Sequence, residues 1–209
     1  WPTHDDDLCA DVHRVFQQLT GMGKAARLHS LLHAPFTLQK NLLLMIDKEI
    51  AAARAGKPAH IIIKVNGLTE QMIRALYRAS QAGVKVDLIV RGVCCLRPRL
   101  PGVSDNIRVV SIIGRFLEHS RVYFFQNSDP QIYCASADLM ERNLLHRVEV
   151  AFPIFHMKQI KRIRAELDLY LSDNTQAWDL DSHGTYHRLN PKHRQPKTAQ
   201  QLLLEKLAN

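Results

Sequence analysis

The sequence predicts an α/β fold, a mixed β-sheet flanked by helices, and three observations predict it. A continuous apolar run, Ile61-Ile62-Ile63, sits in the order strand, helix, strand, as expected of a strand covered on both faces. From residue 107 helical periodicity fades into short β-rich runs. Met157 to Leu171 then returns to helical spacing, with Ile160, Ile163, Leu167 and Tyr170 opposite Lys158, Lys161, Arg162 and Arg164.

In chain order, Asp7 to Leu19 places Leu8, Val12, Val15, Phe16 and Leu19 on one helical face, and Gly21 and Gly23 supply stop signals. Arg27 to Leu32 reads as a short strand ending before Pro35. Thr37 is positioned to cap a long helix to about Ala55, with Gly56 as terminator. His60 to Val65 is a strand, Thr69 caps a helix with an Ile73, Leu76 and Tyr77 stripe, and Gly83 ends that helix before the strand Val84 to Val90. Four further strands are read at Ile107 to Ile113, Ser120 to Phe125, Gln131 to Ala135 and Val148 to Phe152, with Asn127-Ser128-Asp129-Pro130 as a turn. After Trp178 the tail is basic and irregular until Thr198 and Gln201, which offer a capping box for a last helix through Leu207. The stripes at Ile73, Leu76 and Tyr77 and at Ile160, Ile163 and Leu167 are core.

With 209 residues and 46% apolar content, the chain can bury one sizeable core with extensions. Trp1-Pro2 without an initiator Met, and an acidic run leading straight into a helix, read as a segment cut from something longer. The formal charge of +8 favours anionic partners: phosphates, nucleic acid or a membrane surface. Cys9, Cys94, Cys95 and Cys134 lack CxxC spacing and read as reduced thiols in a cytosol, and no metal-ligand framework appears. Leu42 to Ile46, the longest apolar run, is far below a membrane span, and no signal segment opens the chain.

Three segments concentrate phosphate-friendly groups where apolar strands end: Val90 to Pro98, Phe116 to Arg121, and Ser136 to Asn143 running into Arg147-Val148-Glu149. Arg91 follows a strand's carboxyl end, where ligands of open α/β sheets sit, and its planar fork suits a pair of phosphate oxygens. Any one of Arg91, Arg97 and Arg99 taken alone is more often a solvated loop charge. His119 two positions before Arg121 on a strand would put both side chains on one face. With a reference pKa of about 6.5, imidazole can serve as nucleophile or as general acid and base near neutrality. A lone histidine is more often structural; its company changes the odds. Ser136, Asp138 and Asn143 follow after one hairpin, and Glu149 lies on the next strand, placed to orient the imidazole or to bind phosphate oxygens. Ser136 and Asp138 could equally be turn formers.

The His119-x-Arg121 and Ser136-x-Asp138 pattern resembles a diverged phospholipase D half-site. Together with Leu88 to Arg97, Ser104-Asp105-Asn106-Ile107, Leu117 to Tyr123 and Ser136 to Arg147, the chain from about Val12 to Ser172 resembles the C-terminal region of bacterial polyphosphate kinases. The resemblance implies a phospholipase-D-like domain, and a kinase that reversibly moves the terminal phosphate of ATP onto polyphosphate through a phosphohistidine. That histidine, within a His pair followed by Pro, belongs to an upstream domain; His4, His13, His29 and His33 lie in other contexts. His119 corresponds to the second family histidine, Arg91 to an arginine contacting nucleotide phosphates, and Glu149 to an acidic position of the site. Arg121 would add positive charge. A nucleotide-binding tyrosine and the arginines that help hold magnesium are also upstream, so no metal ligand is expected here.

The implied organisation is residues 1–33 as the end of the preceding domain, 34–178 as the phospholipase-D-like domain, and 179–209 as a basic extension. Implied cofactors are ATP or ADP with Mg2+. Implied partners are polyphosphate, the upstream domains of the same polypeptide and a second copy when full length, without specific nucleic acid. The cytosol is the expected compartment, with peripheral membrane association left open. Two alternatives compete. A phospholipase-D-superfamily phosphodiesterase predicts a lysine where Arg121 stands. A non-catalytic module binding nucleic acid or another polyanion would use the basic tail from His183 to Lys206, but lacks an aromatic stacking surface, since aromatics are 7% of residues.

Overall fold

The computed structural model describes residues 3–22, 27–68 and 70–208. Helix α1 (Asp6–Leu19) begins where the Asp5 carboxylate accepts the Leu8 N–H at 2.9 Å, partnering one of the donors a helix start leaves open. Buried Asp11 on this helix accepts the backbone N–H groups of His29, Ser30 and Leu31 at 2.7 to 3.0 Å. Those donors are therefore closed to sheet pairing. Strand β1 is accordingly Leu32–Ala34, displaced from the expected Arg27 to Leu32. Gly21, with φ +72°, lies just past the helix; Gly23 falls outside the described residues.

Helix α2 (Leu38–Arg54) has Thr37 at its N-cap, yet the hydroxyl does not cap it. It accepts the His33 N–H at 3.0 Å and closes the Pro35 turn instead. Gly56 follows at φ +73°, a left-handed conformation that glycine adopts without strain. Strand β2 (His60–Val65) is buried at every position. Helix α3 (Glu70–Gln81) then leads to β3 (Lys85–Val90) and β4 (Ile107–Ile112), while the expected Thr69 cap lies outside the described residues. Strands β2, β3 and β4 are mutually parallel. Antiparallel strands continue the sheet on the β2 side: β5 (Arg121–Phe125), β6 (Ile132–Ala135) and β7 (Glu149–Ile154). A short helix α4 (Glu141–Leu145), which periodicity did not reveal, bridges β6 and β7.

Helix α5 (Met157–Ser172) covers one face, packing Ile160 and Leu167 with Ile62, Ile89 and Val110, whereas α2 and α3 cover the other with Ile61, Ile63 and Val65. Alternation along β2 thus feeds two cores, as a two-sided strand must. Helix α1 packs Leu8 and Val15, with Leu31, beside Val150 and Phe152.

The tail is more ordered than its sequence predicts. Strands β8 (Ala177–Leu180) and β9 (Tyr186–Arg188) extend the sheet beyond β4, giving the order β1-β7-β6-β5-β2-β3-β4-β8-β9. Expected boundaries at 33/34 and 178/179 therefore fall inside strands β1 and β8 of one sheet. Helix α6 (Ala199–Leu207) follows Thr198, but the expected capping box is not made. The Thr198 hydroxyl meets that of Thr175 at 2.8 Å, and buried Asp173 accepts the Ala199 N–H at 2.7 Å from across the chain. The four cysteines are free. Among the described residues no helix is long and apolar enough to cross a membrane.

Candidate active site

Parallel β2 and β3 end at one edge of the sheet, where Asn66 and Arg91 follow them. Antiparallel neighbours bring the first residue of β5, the last of β6 and the first of β7 to the same edge. That convergence builds an open cleft of about 830 Å³ whose walls include Arg91, His119, Arg121, Ser136, Asp138, Asn143 and Glu149. All seven sequence candidates line it, joined by Asn66, Arg142 and Arg147.

Arg91 is anchored by its backbone. Its N–H donates to Val65 O at 3.1 Å, and its carbonyl accepts the Ser111 hydroxyl at 3.2 Å. Gly92 continues the ladder onto Asn66 O, so close that an added Cβ would stand 2.9 Å from that oxygen. Arg91 Nη1 is buried and, among the described residues, has no hydrogen-bond partner. A buried guanidinium nitrogen without an acceptor is costly, and an anionic ligand would satisfy it. By contrast Arg99, one of the three loop arginines of this region, makes a bidentate pair with Asp179 at 2.7 Å on each nitrogen and ties the loop to β8.

Arg121 also makes a fork, to Asp138: Nε donates to Oδ1 at 3.2 Å and Nη2 to Oδ2 at 3.0 Å. Asp138 is 5% exposed and further accepts the Asn66 N–H at 2.7 Å. Burial alone would raise its pKa, but the Arg121 and Asn66 hydrogen bonds outweigh that and hold the carboxyl below the usual range. Thus Asp138 orients Arg121 rather than the imidazole. His119 lies in the loop before β5, not on the strand as expected, yet the two side chains still meet. Arg121 Nη1 donates to the His119 carbonyl at 2.8 Å and lies 3.1 and 3.2 Å from the two ring nitrogens. A guanidinium only donates, so Arg121 presents its N–H groups to the His119 carbonyl and sits against the imidazole.

Ser136, Asn143 and Glu149 form a second cluster. The Ser136 hydroxyl donates to one Glu149 oxygen and Asn143 Nδ2 to the other at 2.7 Å, while Asn143 Oδ1 is buried without a partner among the described residues. Both carboxylates of the cleft are therefore engaged by donors. What remains offers the complement of an anion, not the open carboxylate set that magnesium takes. Among the described residues no group of three or more His, Cys, Asp or Glu side chains could hold a metal ion.

Sequence reasoning missed Lys64. It lies 2% exposed on β2 beneath the cleft, with Nζ 2.9 Å from Glu118 Oε2 and 2.8 Å from Ser120 Oγ. Burial lowers its pKa and Glu118 pulls it back; nearby Arg121 and Arg91 add to the lowering, which prevails. A lysine between Ile63 and Val65 on a strand buried along its length was the available signal.

A family model described as polyphosphate kinase C-terminal domain 2 matches residues 31–200. The chain belongs to that family. A polyphosphate kinase of Pseudomonas aeruginosa is 60% identical over 99% of this chain, and one of Pseudomonas putida is 57% identical over 99%. This chain spans only 30% and 29% of their lengths. The crystal structure of polyphosphate kinase from Porphyromonas gingivalis superposes with a TM-score of 0.94 at 37% identity, covering 99% of this chain and 32% of that one. Nuc from Salmonella typhimurium, a phospholipase D family member, matches with a TM-score of 0.54 at 16% identity over 73% of this chain and 97% of that one. The polyphosphate kinase domain therefore has the phospholipase-D-like fold, a mixed sheet with helices on both faces.

Proposed function

We propose that this chain carries one side of a polyphosphate kinase active site, at which the terminal phosphate of ATP moves reversibly onto inorganic polyphosphate. The observation that carries the reading is the buried Arg91 Nη1, unpartnered among the described residues, in a cleft that also presents Arg121 and exposed His119. Phosphoryl transfer asks little covalent work of a protein beyond the nucleophile; it needs positioning and neutralisation of the equatorial oxygens. Arg91 binds a pair of phosphate oxygens, and Arg121, held rigid by Asp138, adds positive charge without reorganising. His119 gives or takes the proton as phosphate leaves or arrives. Ser136 and Asn143 hold Glu149 at the far wall.

The partners in this reading are ATP or ADP, polyphosphate and the remaining domains of the same polypeptide, which self-associates in the cytosol. The phosphate-carrying histidine and the groups that hold magnesium are assigned to those domains. That assignment makes the chain necessary but insufficient. Labelled ATP with magnesium should yield long-chain polyphosphate from the full-length protein and none from the isolated chain, which also should take up no acid-labile label. Turnover by the isolated chain dependent on His119 would overturn the half-site reading.

A further inference from the structure

The segment that carries His119, residues 113–120, has no regular secondary structure and exposes Ile113, Phe116 and Leu117. Such a loop should be mobile, yet a catalytic group has to be held within fractions of an ångström. What fixes it comes from two distant places in the chain. From α6, Gln200, 5% exposed, accepts the Phe116 N–H on Oε1 at 3.0 Å and donates from Nε2 to the Phe116 carbonyl at 2.8 Å. One carboxamide thus treats Phe116 as a neighbouring strand would. Its second N–H reaches Glu118 Oε1 at 2.7 Å.

From β2, Lys64 binds the other oxygen of Glu118 and the hydroxyl of Ser120, so the residues on either side of His119 are both held. Lys64 Nζ also sits 4.9 Å from the Tyr170 ring centroid, closing the assembly on the α5 side. Gly114 is part of the fit, since an added Cβ would overlap the carboxamide oxygens of Gln176 and Gln200. The strap is itself tied down, because Asp173 accepts the Thr175, Gln176 and Ala177 N–H groups on one oxygen and that of Ala199 on the other.

We propose that α6 is a strap for the active-site loop, with Gln200 and Lys64 acting through Glu118 and Phe116 as positioning residues for His119. This rests on the kinase reading above for its catalytic consequence, but the contacts stand independently of it. The basic tail then has a task inside the fold beyond carrying charge. Gln200→Met removes all three hydrogen bonds while nearly conserving volume, so packing and positioning are separated.

The test uses the full-length enzyme, measuring polyphosphate synthesis together with amide exchange. Gln200→Met should lower kcat about ten- to hundredfold, with KM for ATP changed less than about threefold. Exchange in residues 113–120 should quicken about tenfold or more while the core strands β2 and β3 keep their protection. Unchanged kcat overturns the proposal, whatever the exchange does. So does a fall in kcat without faster exchange in that loop. A wild-type enzyme that makes no polyphosphate would instead refute the kinase reading, and the exchange result would still decide whether α6 restrains the loop.

Discussion

Replacing Asp138 by Asn keeps the size of the side chain but turns a donor toward the Arg121 guanidinium, where a carboxylate now accepts at 3.2 and 3.0 Å. The amide oxygen can still take the Asn66 N–H, so the loss concentrates on Arg121. Arg121's side chain is only 12% exposed, and removing one partner of a buried pair costs about 3 to 5 kcal/mol. Because the guanidinium opens onto the cleft and can recruit water, the lower end applies, about 3 kcal/mol. For a chain of this length that is a fall in Tm of about 6 to 12 °C. Thermal unfolding of the purified chain, with Asp138→Asn and Arg121→Met singly and together, measures it. The double variant should lose less than the sum of the singles, because each single leaves a charge unpaired. A shift below about 2 °C for Asp138→Asn, or strict additivity, would show that the pair is not what fixes Arg121.

Arg91→Lys in the full-length enzyme should lower kcat/KM for ATP by about tenfold or more, because a point charge replaces a fork and one charged hydrogen bond is lost. Steady-state kinetics checks this, and an unchanged value would make Arg91 a bystander. Acid should destabilise the chain in a defined order. Asp11, Asp87 and Asp138 all have folded pKa values held below the usual one, because their hydrogen bonds outweigh the opposing effect of burial. Their stabilisation is present above the unfolded value of about 3.9 and is lost as pH falls below it toward the folded values. His33, lowered by burial against the opposing pull of Asp11, adds a gentler loss beginning below about 6.5, where the unfolded ring takes up a proton that the folded one resists. Urea unfolding from pH 7 to pH 3 should show both phases, and constant stability down to pH 3 would contradict the assignments.

The central layer was legible because its signals are local. Ile61-Ile62-Ile63, the Ile73, Leu76 and Tyr77 stripe and the glycines at 56 and 83 announce β2, α3 and two helix ends without reference to anything distant. Errors came where a distant partner decides. Arg27 to Leu32 looks like strand, but Asp11 captures three backbone donors there. Ala177-Trp178-Asp179-Leu180 is too short to announce a strand; it pairs along the edge of β4, and Arg99 takes its aspartate. The cleft was legible as a set of residues and not as a set of contacts. The order of strands and one hairpin placed His119, Arg121, Ser136, Asp138, Asn143 and Glu149 near each other, but which carboxylate serves which donor depends on how β5, β6 and β7 line up. Lys64 and Gln200 reach residues 54 to 84 positions away, from Lys64 to Glu118 and from Gln200 to Phe116. Sequence spacing carries no trace of such contacts.

His119→Ala in the full-length protein tests the central claim most directly, with ATP-dependent polyphosphate synthesis measured beside the melting temperature. The side chain is exposed and, among the described residues, its ring meets the Arg121 guanidinium, so the fold should not depend on it. Loss of general acid and base help costs about a hundredfold or more, and the account predicts a fall of that size at an unchanged Tm. Activity within about tenfold of wild type, in protein that melts at the same temperature, would contradict it.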